Sequence, residues 1–184
     1  MDSNTLNRAL ETLGSYLSDK GLKYEMAAIG GGALLLLGRI IRPTKDLDIV
    51  ALLDENVLIS AHPLPAPLLK AIKEVGLALK LPENWINSAP ADLWKMGLPE
   101  GFQDRLDPLH FGGLTIYCAS RFDQICFKLY ASVDQGPNSK HFEDLKKLNP
   151  SQEELKKAAI WCQTHDVSEE FARCLVEALH SLEG

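Results

Sequence analysis

The chain has 184 residues, 46% hydrophobic and 24% charged, which is enough for one well-buried globular domain or one domain with a small helical appendix. Nineteen Lys and Arg against 25 Asp and Glu leave a formal net charge of -6; that excludes a generally basic nucleic-acid coat but permits a local basic rim around an acidic site. The four cysteines (Cys118, Cys126, Cys162 and Cys174) lack CxxC spacing and a ligand-spaced histidine, which argues against zinc and for free buried thiols in a reducing, cytoplasmic setting.

Leu6, Leu10, Leu13 and Leu17 form a single apolar stripe, so residues 4–19 are expected to be a helix, stopped by Gly21. YEMAAI, residues 24–29, reads as a short buried strand. Gly30-Gly31-Gly32 breaks the chain, and ALLLLG is expected to continue as a short helix. The apolar cluster from Met26 to Leu37 is too deep, too short and too glycine-rich for an export signal or a membrane span, so no membrane association is expected. A polar connection, 39–45, leads to a strand over Leu47–Leu53.

A Pro-rich patch then opens a helix over about 67–80. Residues 81–112 show little periodicity and read as a long irregular excursion with short elements, of the kind that carries function or gains partial order. A strand follows at 114–119, then a helix over 121–133 with Phe122, Ile125, Cys126, Leu129, Tyr130 and Val133 on one face. Helices are expected over 139–148 and 151–164, the latter opened by a Ser151–Glu154 capping box, and Ser168 caps a last one. Strands in the first two thirds and helices in the last third make an α+β fold. The expected organisation is residues 1–135 as the main domain and 136–184 as a helical C-terminal subdomain, packed as one unit.

The segment GGGALLLLGRIIRPTKDLDIV, residues 30–50, carries the chemistry. Glycines after a strand allow positive φ and a close approach to the main chain, and the following helix start offers free N–H groups suited to phosphate. Asp46 and Asp48 are two apart, so in a strand both carboxylates share one face while Leu47 points inward. Their mutual repulsion is relieved by a cation; a hard ion such as Mg2+ (or Mn2+) suits oxygen ligands and substrate phosphates, and two such ions could activate an attacking hydroxyl and stabilise the leaving pyrophosphate. Arg42 can clamp a phosphate bidentately or screen Asp46. Each part alone is common; the order glycine turn, helix, Asp-x-Asp is specific.

In that order the segment resembles the nucleotidyltransferase superfamily signature, and Arg42-x-Thr44-x-Asp46 is similar to a bacterial branch with AbiEii-like toxins and DUF6036-type nucleotidyltransferases. The likeness extends over about residues 26–165 through Lys128-Leu129 and Asp144-Leu145. It implies a small mixed sheet flanked by helices, and transfer of a nucleoside monophosphate from NTP to an acceptor hydroxyl on RNA, protein or a small molecule. It also implies a possible antitoxin partner. On this resemblance Gly31, Gly32, Arg42, Thr44 and Lys128 bind the nucleotide, Asp46 and Asp48 hold the metal and act in catalysis, and Lys128 and Asp144 assist. Two departures stand out. The turn lacks the family's frequent serine, and strand 114–119 lacks the third carboxylate of many active members, leaving Asp92, Asp104 and Asp107 as candidates. A catalytically weak or inactive module that binds nucleotide or a partner is the alternative.

Outside that constellation, Lys128 is expected on a solvated helix face, and Lys140 with Asp144 as a surface ion pair. Trp85, Trp94 and Phe102 suit core or lid packing, with base stacking as the other option. His141, His165 and His180 are expected at the surface.

Overall fold

The computed structural model describes residues 1–183. Two compact units divide the chain, Met1–Ala119 and Ser120–Gly184. The helix at 121–135 therefore belongs with the C-terminal helices, ahead of the boundary at residue 135 read from the sequence. The architecture is α+β: an open, mixed six-stranded sheet in the first unit, and eight α-helices among the described residues, the last four forming the second unit.

The first unit opens with α1 (Ser3–Asp19), where the Asp2 side chain accepts the Thr5 N–H at 2.8 Å and caps the helix. Its leucine stripe, Leu6, Leu10, Leu13 and Leu17, is fully buried. Strand β1 (Tyr24–Ile29) runs directly into α2 (Gly30–Leu36). The three glycines thus form the first turn of α2 instead of a break ahead of a helix at residue 33.

β2 (Leu47–Asp54) lies antiparallel to β1 and continues into β3 (Val57–Ser60) through a hairpin that the sequence reading missed. Glu55 and Asn56 both take positive φ (48° and 62°), the two-residue geometry that matches the twist of paired strands.

The excursion after α3 (Ala66–Leu79) holds the expected short elements: β4 (Ile86–Asn87), α4 (Ala91–Met96) and a 3-10 turn at Gln103–Arg105. It also supplies β5 (Asp107–Phe111), which pairs with β6 (Leu114–Cys118). Sheet order is β3-β2-β1-β6-β5, with β4 added beside β2. β6 is parallel to β1, and β4 is parallel to β2. Trp85 and Phe102 are core residues, and the Trp85 indole N–H donates to the Ile72 carbonyl at 3.0 Å.

In the second unit, α5 (Arg121–Gln135) packs against α6 (Lys140–Leu148), α7 (Gln152–His165) and α8 (Glu169–Glu183). The Ser151–Glu154 capping box is formed in both directions. Arg121 ties the unit together: its Nε and Nη2 donate to the Leu148 and Asn149 carbonyls at 3.0 and 2.7 Å, and Nη1 meets Glu154. His165 departs from the surface expectation. Its ring packs at a tilt against Trp161, centroids 4.4 Å apart, beside Tyr130, because the last turn of α7 faces the aromatic side of α5. Cys118, Cys126 and Cys162 are buried and Cys174 is half-buried, all as free thiols. No helix among the described residues is long and apolar enough to cross a membrane.

Candidate functional site

The glycine turn and the paired aspartates converge because β1 and β2 are adjacent strands. A β-bulge shifts the register between Ala27 and Ala28: Ala27 faces Ala51, but Ala28 faces Ile49 and Ile29 faces Asp48. The extra residue, Val50, brings Asp48 opposite the last residue before the glycines. Bulges of this kind re-aim side chains near functional sites.

Each glycine has a distinct neighbour. Gly30 has φ +74°, and a Cβ there would stand 2.9 Å from Asp48 Oδ2. The left-handed backbone favours glycine at this position, and a Cβ would also displace the Asp48 carboxylate. At Gly31 a Cβ would meet Arg42 Nη2 at 3.3 Å and Thr44 Oγ1 at 3.4 Å. Gly32 is buried, and a Cβ would stand 2.8 Å from the Asp46 carbonyl oxygen and 2.8 Å from Leu47 Cδ1. Its role in the structure is the close seating of α2 on the start of β2.

The 39–46 segment is held from several sides. Thr44 is buried and its hydroxyl donates to the Asp46 carbonyl at 3.0 Å. The Thr44 N–H donates to the Met1 carbonyl at 2.9 Å, and the Met1 amino group donates back to the Thr44 carbonyl. Arg42 is half-buried, with Nη1 3.4 Å from the Pro43 carbonyl. Asp46 lies one residue ahead of β2, outside the strand in which it was expected, and Asp48 lies inside it. Both are half-buried on either side of a fully buried Leu47, the alternation expected of an edge between core and solvent.

Asn87 is the neighbour that sequence reasoning missed. β4 pairs it with Asp48, and its Nδ2 donates to Asp48 Oδ1 at 3.2 Å. A two-residue strand is too short to leave a period-two signal, and the one local cue was the apolar Trp85-Ile86 between two prolines. The candidate third carboxylates lie elsewhere. Asp92 is exposed and paired with Lys95 at 3.0 Å; Asp104 is exposed; Asp107 is exposed on β5, at the far edge of the sheet from β2. No group of three His, Cys, Asp or Glu that could hold a metal occurs among the described residues.

Lys128 and Asp144 belong to the second unit. Lys128 is 2% exposed, not on a solvated face, because α6 covers that side of α5. Its Nζ donates to Asp144 Oδ2 at 2.7 Å, with Asp144 fully buried. The expected Lys140–Asp144 surface pair is replaced by this buried one, and Lys140 is exposed.

Residues 4–147 match the family model described as "Nucleotidyltransferase of unknown function (DUF6036)", which spans more than half of the chain. No curated protein and no solved structure matches the chain.

Proposed function

The chain belongs to the DUF6036 family of nucleotidyltransferases, and from that premise we propose that it moves a nucleoside monophosphate from an NTP to an acceptor hydroxyl at the junction of Gly30–Gly32 with Asp46 and Asp48. One observation carries the reading. The glycine turn and the Asp48 carboxylate sit side by side, with Asp48 Oδ2 within 2.9 Å of a Cβ at Gly30, the Arg42 guanidinium within 3.3 Å of one at Gly31, and the Asp46 main chain against Gly32.

The donor set fits Mg2+ or Mn2+: two half-buried carboxylates at the start of one strand, next to backbone free of side chains. Asp46 and Asp48 would hold the ion, which when bound would offset triphosphate charge and polarise the reacting phosphate. Gly31 keeps side-chain atoms away from the main chain where the Arg42 guanidinium and the Thr44 hydroxyl approach it, and those two groups would bind phosphate. Gly32 seats the helix. In the transfer the acceptor oxygen bonds to the α-phosphorus, the bond from that phosphorus to the bridging oxygen breaks, pyrophosphate leaves and the acceptor proton passes to solvent. Lys128 and Asp144 act as a structural tie between α5 and α6, a role their burial and mutual pairing support.

RNA, protein and small molecules all offer the hydroxyl that the acceptor role needs. The likeness of the Arg42–Asp46 segment to AbiEii-like toxins favours a toxin acting on RNA with an antitoxin partner. Incubation with labelled NTPs, Mg2+ and cell RNA or protein tests the reading against the Asp46→Ala/Asp48→Ala variant. Transfer lost in the variant is expected, and transfer unchanged in it would sink the assignment. A second reading, nucleotide binding without turnover, is favoured by the amide of Asn87 at the strand position beside Asp48. Saturable nucleotide binding with no transfer across a broad acceptor panel would support it over the first.

A further inference from the structure

The chain leaves α2 through Gly38, whose φ is +65°, and the Gly38 and Arg39 N–H groups donate back to the Leu35 and Leu34 carbonyls at 3.1 and 2.8 Å. Beyond this cap, Ile40 (4% exposed) and the buried Thr44 anchor the segment from within, and the Arg42 guanidinium turns toward Gly31. The residues between them, Arg39, Ile41, Pro43 and Lys45, are exposed, Ile41 at 93%. A row of side chains therefore stands in solvent on a backbone that the fold holds in place, from the end of α2 to the residue before Asp46.

The row is apolar in the middle and cationic at both ends. Three cations and no carboxylate lie between Gly38 and Lys45, in a chain of formal net charge -6. Lys70, Lys95 and Lys157 are paired with carboxylates, whereas Arg39 and Lys45 have no ion-pair partner among the described residues. Phosphates pair with such cations, and a nucleobase outside a duplex offers a flat apolar face to Ile41 and Pro43. Arg39 and Lys45 are at most about 20 Å apart, the length of a few nucleotides. We infer that this row binds the acceptor, and that the acceptor is a single-stranded nucleic acid with phosphates on Arg39 and Lys45 and a base against Ile41. The inference rests on the transfer proposed at Asp46 and Asp48: Lys45 adjoins Asp46, so a strand along the row brings its own terminal hydroxyl toward that site. An acidic peptide would match the cations alone.

Fluorescence anisotropy reads the binding of labelled oligouridylate, about ten nucleotides long, and of its deoxy counterpart to the full chain, without NTP or metal, over a series of salt concentrations. The wild type is expected to bind, more weakly as salt rises, and the strand bound more tightly tells RNA from DNA. Arg39→Gln/Lys45→Gln should weaken binding about tenfold and reduce the slope of log K against log salt by about 1.4, the loss of two phosphate contacts on a single strand. Ile41→Ser should weaken binding about fivefold and leave the slope unchanged. Circular dichroism checks folding, and either single change, with half the change in slope, replaces Arg39→Gln/Lys45→Gln if that variant does not fold. No binding by the wild type, affinity and slope unchanged in Arg39→Gln/Lys45→Gln, affinity unchanged in Ile41→Ser, or displacement of the strand by an equal concentration of oligoglutamate overturns the inference and leaves the proposed site standing. Transfer to the strand that survives Asp46→Ala/Asp48→Ala overturns the proposed site and the acceptor role with it.

Discussion

Replacing Lys128 by methionine separates a structural ion pair from a nucleotide contact. The change keeps the length of the side chain and most of its apolar stem, but removes the ammonium 2.7 Å from Asp144 Oδ2. With side-chain exposures of 3% and 0%, solvent screens neither partner, and the Asp144 carboxylate would stay buried without its cation. Breaking such a pair by removing one member costs about 3–5 kcal/mol. Against a total stability of roughly 5–15 kcal/mol that is a large loss, on the order of 10 °C in Tm for a chain of this size. Replacing both members, as Lys128→Met/Asp144→Leu, removes the stranded charge and should recover most of the loss, since buried pairs are often exchanged for apolar residues at little net cost. Urea unfolding of the full chain, followed by circular dichroism and by fluorescence of Trp161 in the same unit, reads both variants. A cost under about 1 kcal/mol for the single change, or a double variant no more stable than the single one, would refute the reasoning.

Three further outcomes follow from local geometry. Gly30→Ala forces a side chain into φ +74° and brings Cβ 2.9 Å from Asp48 Oδ2. It should cost about 1–2 kcal/mol in stability and weaken Mn2+ binding, and an unchanged affinity would count against the proposed role of Asp48. Thiol titration of the native protein should find Cys174 reacting ahead of the other three, because burial removes access and pushes the Cys118 thiol up to about 12, with the Asp107 charge adding to it. Equal rates for all four would contradict the buried placements. Burial pushes the Glu154 carboxyl up, but hydrogen bonds from the Ser151 backbone and from Arg121 outweigh it and hold the group below its ordinary 4.5. A depressed folded value contributes stability that is present above 4.5 and lost as pH falls through the folded value. Glu154→Gln should therefore flatten the acid limb of the stability–pH curve below 4.5, and an unchanged limb would show that the capping box and Arg121 do not act on this carboxylate.

The patterns that repeat along the chain could be read without the fold. Leu6, Leu10, Leu13 and Leu17 specify the buried side of α1 by helical spacing alone, and Ser151 with Glu154 specifies the start of α7, because caps and stripes are satisfied within a few residues. The juxtaposition of Gly30–Gly32 with Asp46 and Asp48 was legible too, since a short connection between neighbouring strands leaves the chain few places to go. Tertiary structure alone decided three things. The bulge at Val50 sets which residue of β2 faces Ile29, and no spacing rule predicts a bulge. Lys128 and Asp144 have the composition of a solvated face, yet the packing of α6 on α5 buries them as a pair. Asn87 reaches Asp48 only because a two-residue strand docks beside β2 from 39 positions away, a contact whose partners share no local pattern. The approach of the glycines to Asp48 could therefore be read from the sequence, while the hydrogen bond that Asn87 gives Asp48 comes from a neighbour that only folding brings to it.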